Sequence, residues 1–218
     1  MIKDMNTVTG WASQMRGLRA REIEAFRRYW SAMRKEGDVP RRSDIDPRGI
    51  EPLLAEAFVA ERIAPGLARL RIAGNHLTDL MGMEVRGMPL SSFLLPADRD
   101  RLADLLVDLF DAPATVDLRL AAEAGRGQSP LAARMVLMPL RSDLGDISRC
   151  LGCLVTDGPL GRALRRFAIT SSKVSVVTLR QDGLSGTGFT TPKAPASRPD
   201  AQPPSRSERP YLRLVKSN

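Results

Sequence analysis

The chain has 218 residues, 43% of them hydrophobic and 5% aromatic, and carries a net charge of +8 from 33 basic and 25 acidic side chains. That apolar share supports a packed core for one ordinary domain plus appendages, or for two very small domains, and excludes a chain that is disordered throughout. With two cysteines, no apolar run of leader length in MIKDMNTVTGWASQM and no stretch of ~18 apolar residues, the sequence argues against a disulfide framework and a membrane span and sets a cytoplasmic location as the expectation.

Residues 17–36 read as a helix: Ile23, Phe26, Trp30 and Met33 fall on one stripe, and Gly37 and Pro40 supply the stop. The stripe covers only about two heptads, short for an isolated coiled coil. It must pack either on the domain that follows or on the same helix of a second chain. Asp46 before Pro47 predicts a capped short helix over about 47–54. AFVAER (57–62) and LARLRIA (67–73) read as a hairpin around Ala64-Pro65-Gly66. In the second strand Ala68, Leu70 and Ile72 alternate with Arg69 and Arg71, which predicts one buried and one wet face.

GNHLTDLMG (74–82) and MPLSSFLL make short helical pieces, and residues 96–111 make the clearest helix, with Leu102, Leu105, Leu106, Leu109 and Phe110 on its apolar face. Three further strands are expected at 115–122, 131–140 and 148–157. Strands, then helices, then strands predict an α+β fold: five strands in one antiparallel sheet with helices on one face. Residues 159–169 read as one more helix, and 173–179 have strand-like composition. From 181 on, Pro, Ser and Gly predict an unstructured basic tail. Its last segment, RPYLRLVKSN, regains Tyr211, Leu212, Leu214 and Val215, as a frayed end or a short docking motif. The expected divisions are therefore 1–42 (helical extension), 43–158 (domain), 159–180 (its C-terminal extension) and 181–218 (tail).

Laid over these elements, the charge is uneven. Residues 1–42 carry +5 and residues 181–218 carry +3, whereas 43–180 hold seventeen charges of each sign. A nucleic-acid reader concentrates positive charge on its folded surface. The neutral middle argues against that role and leaves a flank touching nucleic acid or an anionic surface as the alternative.

Few residues suggest chemistry. His76 is the single histidine, and a lone histidine is more often structural than a ligand. Cys150 and Cys153 form a C-x-x-C pair, but two thiols do not complete a zinc site. On a strand, residues three apart point to opposite faces, which fits core packing better than a redox pair. Arg41-Arg42 and Arg165-Arg166 are candidate anion contacts weighed against simple solvated charge. No Ser/His/Asp set assembles, and Asp98 and Asp100 read as helix-start residues. No metal site and no catalytic residue is expected.

The run RRSDIDP (41–47), a strand carrying Glu61, then RLRIAGNHLTDLMGMEVRG (69–87) and LPADRDRL (95–102) resemble small stand-alone PAS-domain proteins common in alphaproteobacteria. The matching positions are Arg69, Arg71, Ala73, Gly74, Leu77, Gly82, Glu84, Arg86 and Gly87, and the likeness spans about residues 21–157. The resemblance implies a PAS-type sensory or regulatory module without catalysis, acting in bacterial signalling through a small-molecule ligand, a signalling partner or a homodimer. It gives Gly74, Gly82, Glu84, Arg86 and Gly87 structural roles. It leaves Arg71, Asn75 and His76 as ligand-contact candidates, and Ile23, Phe26, Trp30 and Met33 as a dimer or partner helix. It names no cofactor.

Overall fold

Alternating apolar and polar side chains build most of this fold. The structure, a computed structural model, describes residues 19–124 and 128–179. Its strands are β1 (Ala57–Ala64), β2 (Leu67–Ala73), β3 (Ala114–Ala122), β4 (Leu131–Arg141), β5 (Ile147–Asp157) and β6 (Ala168–Val176). Its α-helices are α1 (Ala20–Ala32), α2 (Asn75–Met81) and α3 (Arg99–Asp111). Short 3-10 turns occupy Arg42–Asp44, Pro47–Leu53, Leu90–Phe93 and Pro96–Asp98. Every strand pairing is antiparallel, in the order β2-β1-β5-β4-β3-β6. The expected α+β fold with an antiparallel sheet is present, with six strands in place of five.

Each sheet face has its own core. On the inner face Leu77 and Leu80 of α2 and Leu102, Leu106 and Leu109 of α3 pack against Leu118, Met135 and Leu154, all fully buried. On the outer face Ile23, Phe26 and Trp30 of α1 pack against Val59, Val136, Met138 and Leu151. The domain's own helices thus lie on one face, and the N-terminal helix α1 covers the other. Burying each such large side chain contributes about 1.5–3 kcal/mol. Trp30 also donates its Nε1–H to the Pro139 carbonyl at 2.9 Å. Arg27 holds Asp117 of β3 at 2.6 Å, and Arg134 grips the same carboxylate with Nε at 2.9 Å and Nη2 at 2.5 Å. Of the two partners open to the stripe Ile23, Phe26, Trp30 and Met33, the structure shows the domain that follows: Ile23, Phe26 and Trp30 are buried against the chain's own sheet and Met33 packs beside them.

The stretch 159–169 is not a helix. Gly158 and Gly161 sit at φ 112° and 66° around Pro159, which breaks any helical turn. The chain then runs extended, with Arg165 N–H bonded to the Leu80 carbonyl at 2.8 Å and Phe167 N–H to the Phe93 carbonyl at 2.9 Å. It enters β6 at Ala168, earlier than the strand-like composition of 173–179 indicated. Gly74 leaves β2 where any Cβ would strike the Ala55 carbonyl oxygen, and Gly82 caps α2 in the left-handed region at φ 67°. No helix among the described residues is long and apolar enough to cross a membrane. The expected tail and its RPYLRLVKSN motif lie outside the described residues, as do residues 17 and 18 of the predicted first helix.

Candidate functional site

The outer face is only partly covered by α1, and a local irregularity shapes what is left. Val59 pairs with Ile72 but Ala60 pairs with Leu70, so Arg71 is an extra residue on β2 with no partner on β1. Such a bulge reverses the in-out alternation beyond it. Ile72, expected in the core with Ala68 and Leu70, instead stands beside Val59 on the outer face and is 50% exposed. Arg71 bends over the same face and ion-pairs with Glu61.

The result is a groove of about 660 Å³ whose lining includes Val59, Glu61, Arg71, Ile72, Arg149, Arg42, Glu84 and Arg86. Strands supply the floor. Arg42, from the turn after α1, forms one wall, and the Glu84–Gly87 turn forms the other. That turn is fixed by its own bonds. Gly87 N–H reaches the Leu70 carbonyl at 2.8 Å, Leu70 N–H reaches the Met88 carbonyl at 2.9 Å, and Glu84 Oε1 accepts from the Arg86 backbone N–H at 2.9 Å. Segment 85–89 thereby also shields the edge of β2, a strand edge that would otherwise be open to pairing.

Glu61 is the electrostatic centre of the groove. It lies between Arg69 on β2 and Arg149 on β5 and accepts ion pairs from Arg71 and from Arg149, the latter at 3.1 Å. The Nε of Arg149 is shielded from solvent and has no hydrogen-bond partner among the described residues. Arg42 and Arg86 make no ion pair within the described residues. Four guanidiniums against two carboxylates leave an excess of two positive charges in one recess.

The expected ligand contacts do not converge. Arg71 lines the groove, whereas His76 faces the opposite end of β5, where its Nε2 meets Thr156 Oγ1 at 3.1 Å. Burial pushes the His76 imidazole below its ordinary value, with Glu56 and Asp79 pulling upward and Arg19 downward. Thr156 borders a second cleft of about 220 Å³ together with Arg19 and Arg134. There Arg19 is already paired with Glu56, and Arg134 with Asp117. Asn75 is exposed at the start of α2 and lines neither cleft.

Of the motif residues, Glu84, Arg86 and Gly87 form a groove wall, a role beyond the structural one expected of them. Of the arginine pairs, Arg42 reaches the groove while Arg41 closes a turn with Asp44. Arg165 is buried and donates to the Ser129 carbonyl at 2.6 Å, and burial lowers its pKa. Arg149 was not singled out by sequence reasoning. Its signal was position: it stands two residues before Leu151 on one strand, which places both on the same face. Cys150 belongs to the inner core and Cys153 to the outer one, as the strand geometry requires. Among the described residues no three of His, Cys, Asp and Glu gather into a metal-binding group.

No curated protein matches the chain. One family model does, described as "PAS domain", and it covers residues 18–155. That span includes α1 and β1 to nearly the end of β5, and leaves β6 outside. The antiparallel sheet, the short helices between β2 and β3 and the order of the elements agree with this match over more than half of its length, and the chain belongs to the PAS-domain family.

Proposed function

We propose that the chain is a PAS-type regulatory module without chemistry of its own, acting in bacterial signalling by binding a small molecule, a protein partner or both. PAS domains are signalling and sensory modules, so family membership supports the general class. The single observation that carries the finer reading is the shared use of Val59. This side chain is part of the core under α1 and also part of the groove floor. Arg42, a groove wall, comes from the first 3-10 turn after α1. A molecule seated in the groove would press on the residues that seat the helix, so its occupancy and the position of α1 share one free-energy balance. The inner face offers less to a ligand, because aliphatic side chains from α2, α3 and the sheet fill it.

The test is native mass spectrometry with light scattering on the full chain, purified gently from cells that make it naturally. A stoichiometric bound mass, either a small molecule or a partner, is the expected result. A bare monomer in every preparation would count against the reading. The rival, a binder of polyanions through the basic flanks, predicts instead a salt-dependent affinity for DNA that vanishes when both flanks are removed.

A further inference from the structure

We infer that the outer-face groove is a binding site for a phosphorylated small molecule with a flat apolar body, of the nucleotide class. The inference rests on the reading of this groove as the module's sensing surface and names the chemistry it would sense. Four observations lead to it. The first is charge: Arg42, Arg71, Arg86 and Arg149 outnumber Glu61 and Glu84 by two. A phosphate ester or anhydride carries between one and two negative charges per phosphoryl group near neutral pH, and so balances that excess where a single carboxylate would not.

The second observation is the donor chemistry. Guanidinium groups present paired N–H donors in a fork that fits two phosphate oxygens at once. Arg42 and Arg86 have no carboxylate partner among the described residues and stand on opposite walls.

The third observation is preorganisation. Glu61 tethers Arg71 and Arg149, so the floor arginines are already ordered, which lowers the entropic cost of binding. The fourth is size and shape. About 660 Å³ lies within the usual range for small-molecule sites, whereas a protein interface needs about 800 Å² on each partner. Half-exposed Ile72, with buried Val59 beneath it, supplies an apolar surface beside the charges, suited to one face of a planar ring.

Isothermal titration of the full chain at low salt with ADP, GDP, pyrophosphate, inorganic phosphate, adenosine and polyglutamate tests the site. At least one nucleotide is expected to bind with Kd of about 100 μM or tighter, weakening as salt rises, while adenosine does not bind. Arg42→Gln and Arg86→Gln are each expected to raise Kd about tenfold or more with Tm unchanged, because both side chains are exposed and neither makes an ion pair among the described residues. Arg86→Lys, which keeps the charge but loses the fork, should give an intermediate Kd. Pyrophosphate binding as tightly as the nucleotides would overturn the flat apolar body and leave recognition to the phosphates alone.

Three results would overturn the site itself: no phosphorylated probe binding below millimolar concentration, binding indifferent to both glutamine variants, or preference for polyglutamate over every phosphorylated probe. If the titrations fail while native mass spectrometry still finds another bound mass or a partner, the phosphate assignment falls and the regulatory reading stands.

Discussion

Cys150 and Cys153 are neighbours in sequence and strangers in space. On β5 they face opposite sides of the sheet, one in each core, and burial pushes both thiols up to about 12. Only the thiolate is nucleophilic. At pH 8 a thiol titrating near 12 has a thiolate population about three orders of magnitude below that of an exposed cysteine. Iodoacetamide at pH 8 should therefore leave both cysteines unmodified in the native protein over a period that alkylates both completely in urea, as read by intact mass. Fast native labelling of either one would contradict the burial described here. The same two residues show how far the sequence carries at this scale. A strand assignment and a spacing of three were enough to favour core packing over a redox pair, because the period of a strand is fixed by the backbone. The exposure of Ile72 could not be read in that way. A bulge depends on how two strands pair, and nothing in LARLRIA alone marks Arg71 as the extra residue.

At the scale of elements, α1 is the most informative. Its stripe was legible as an apolar face of helical period, but periodicity does not say whether that face meets the same chain or another. Packing decides it: Ile23, Phe26 and Trp30 cover Val59, Met138 and Leu151, and Trp30 adds its bond to the Pro139 carbonyl. Trp30→Ala should cost about 3–5 kcal/mol of stability. Trp30→Phe, which keeps most of the apolar contact but leaves that carbonyl without its donor, should cost about 1–3 kcal/mol. Urea unfolding followed at two protein concentrations tenfold apart measures both. A midpoint independent of concentration is expected where the contacts are intramolecular alone; a midpoint that climbs with concentration would show a dimer. The sequence was less informative after residue 158. Leu160, Ala163 and Leu164 suggest an apolar helix, yet two left-handed glycines and the pairing of Phe167 with Phe93 and Leu95 hold the segment extended. Long-range pairing of this kind outweighs local propensity. The groove was legible in part for the same reason. Arg42, Arg71 and the Glu84–Gly87 turn stood out in the sequence, but Glu61 and Arg149 gain their roles only when β1 and β5 pair.

The whole molecule responds to acid through groups that share one direction of shift. Asp38, Asp44, Asp117 and Asp146 all sit below the usual carboxylate range. Asp117 is the best protected: burial alone would raise it, but Arg134 and Arg27 outweigh that effect. Groups with depressed folded values contribute stability that is complete above their unfolded value, near 4, and is lost as pH falls through the folded value. His76 is also depressed, by burial. As a base it resists protonation in the fold, so its contribution is complete above about 6.5 and declines as pH falls below that value. The folded middle carries equal numbers of charges at neutral pH, seventeen of each sign over residues 43–180, so protonating carboxylates also builds a net positive charge that repels itself. Stability measured by urea midpoint should therefore fall in two stages, a shallow one beginning below about pH 6.5 and a steep one below about pH 4. His76→Gln should flatten the first stage and leave the second intact. Asp117→Asn should lower stability at pH 7 by about 1.5–3 kcal/mol through loss of its charge-assisted bonds, and should make the second stage shallower. A single transition below pH 4, unchanged by either variant, would refute both assignments.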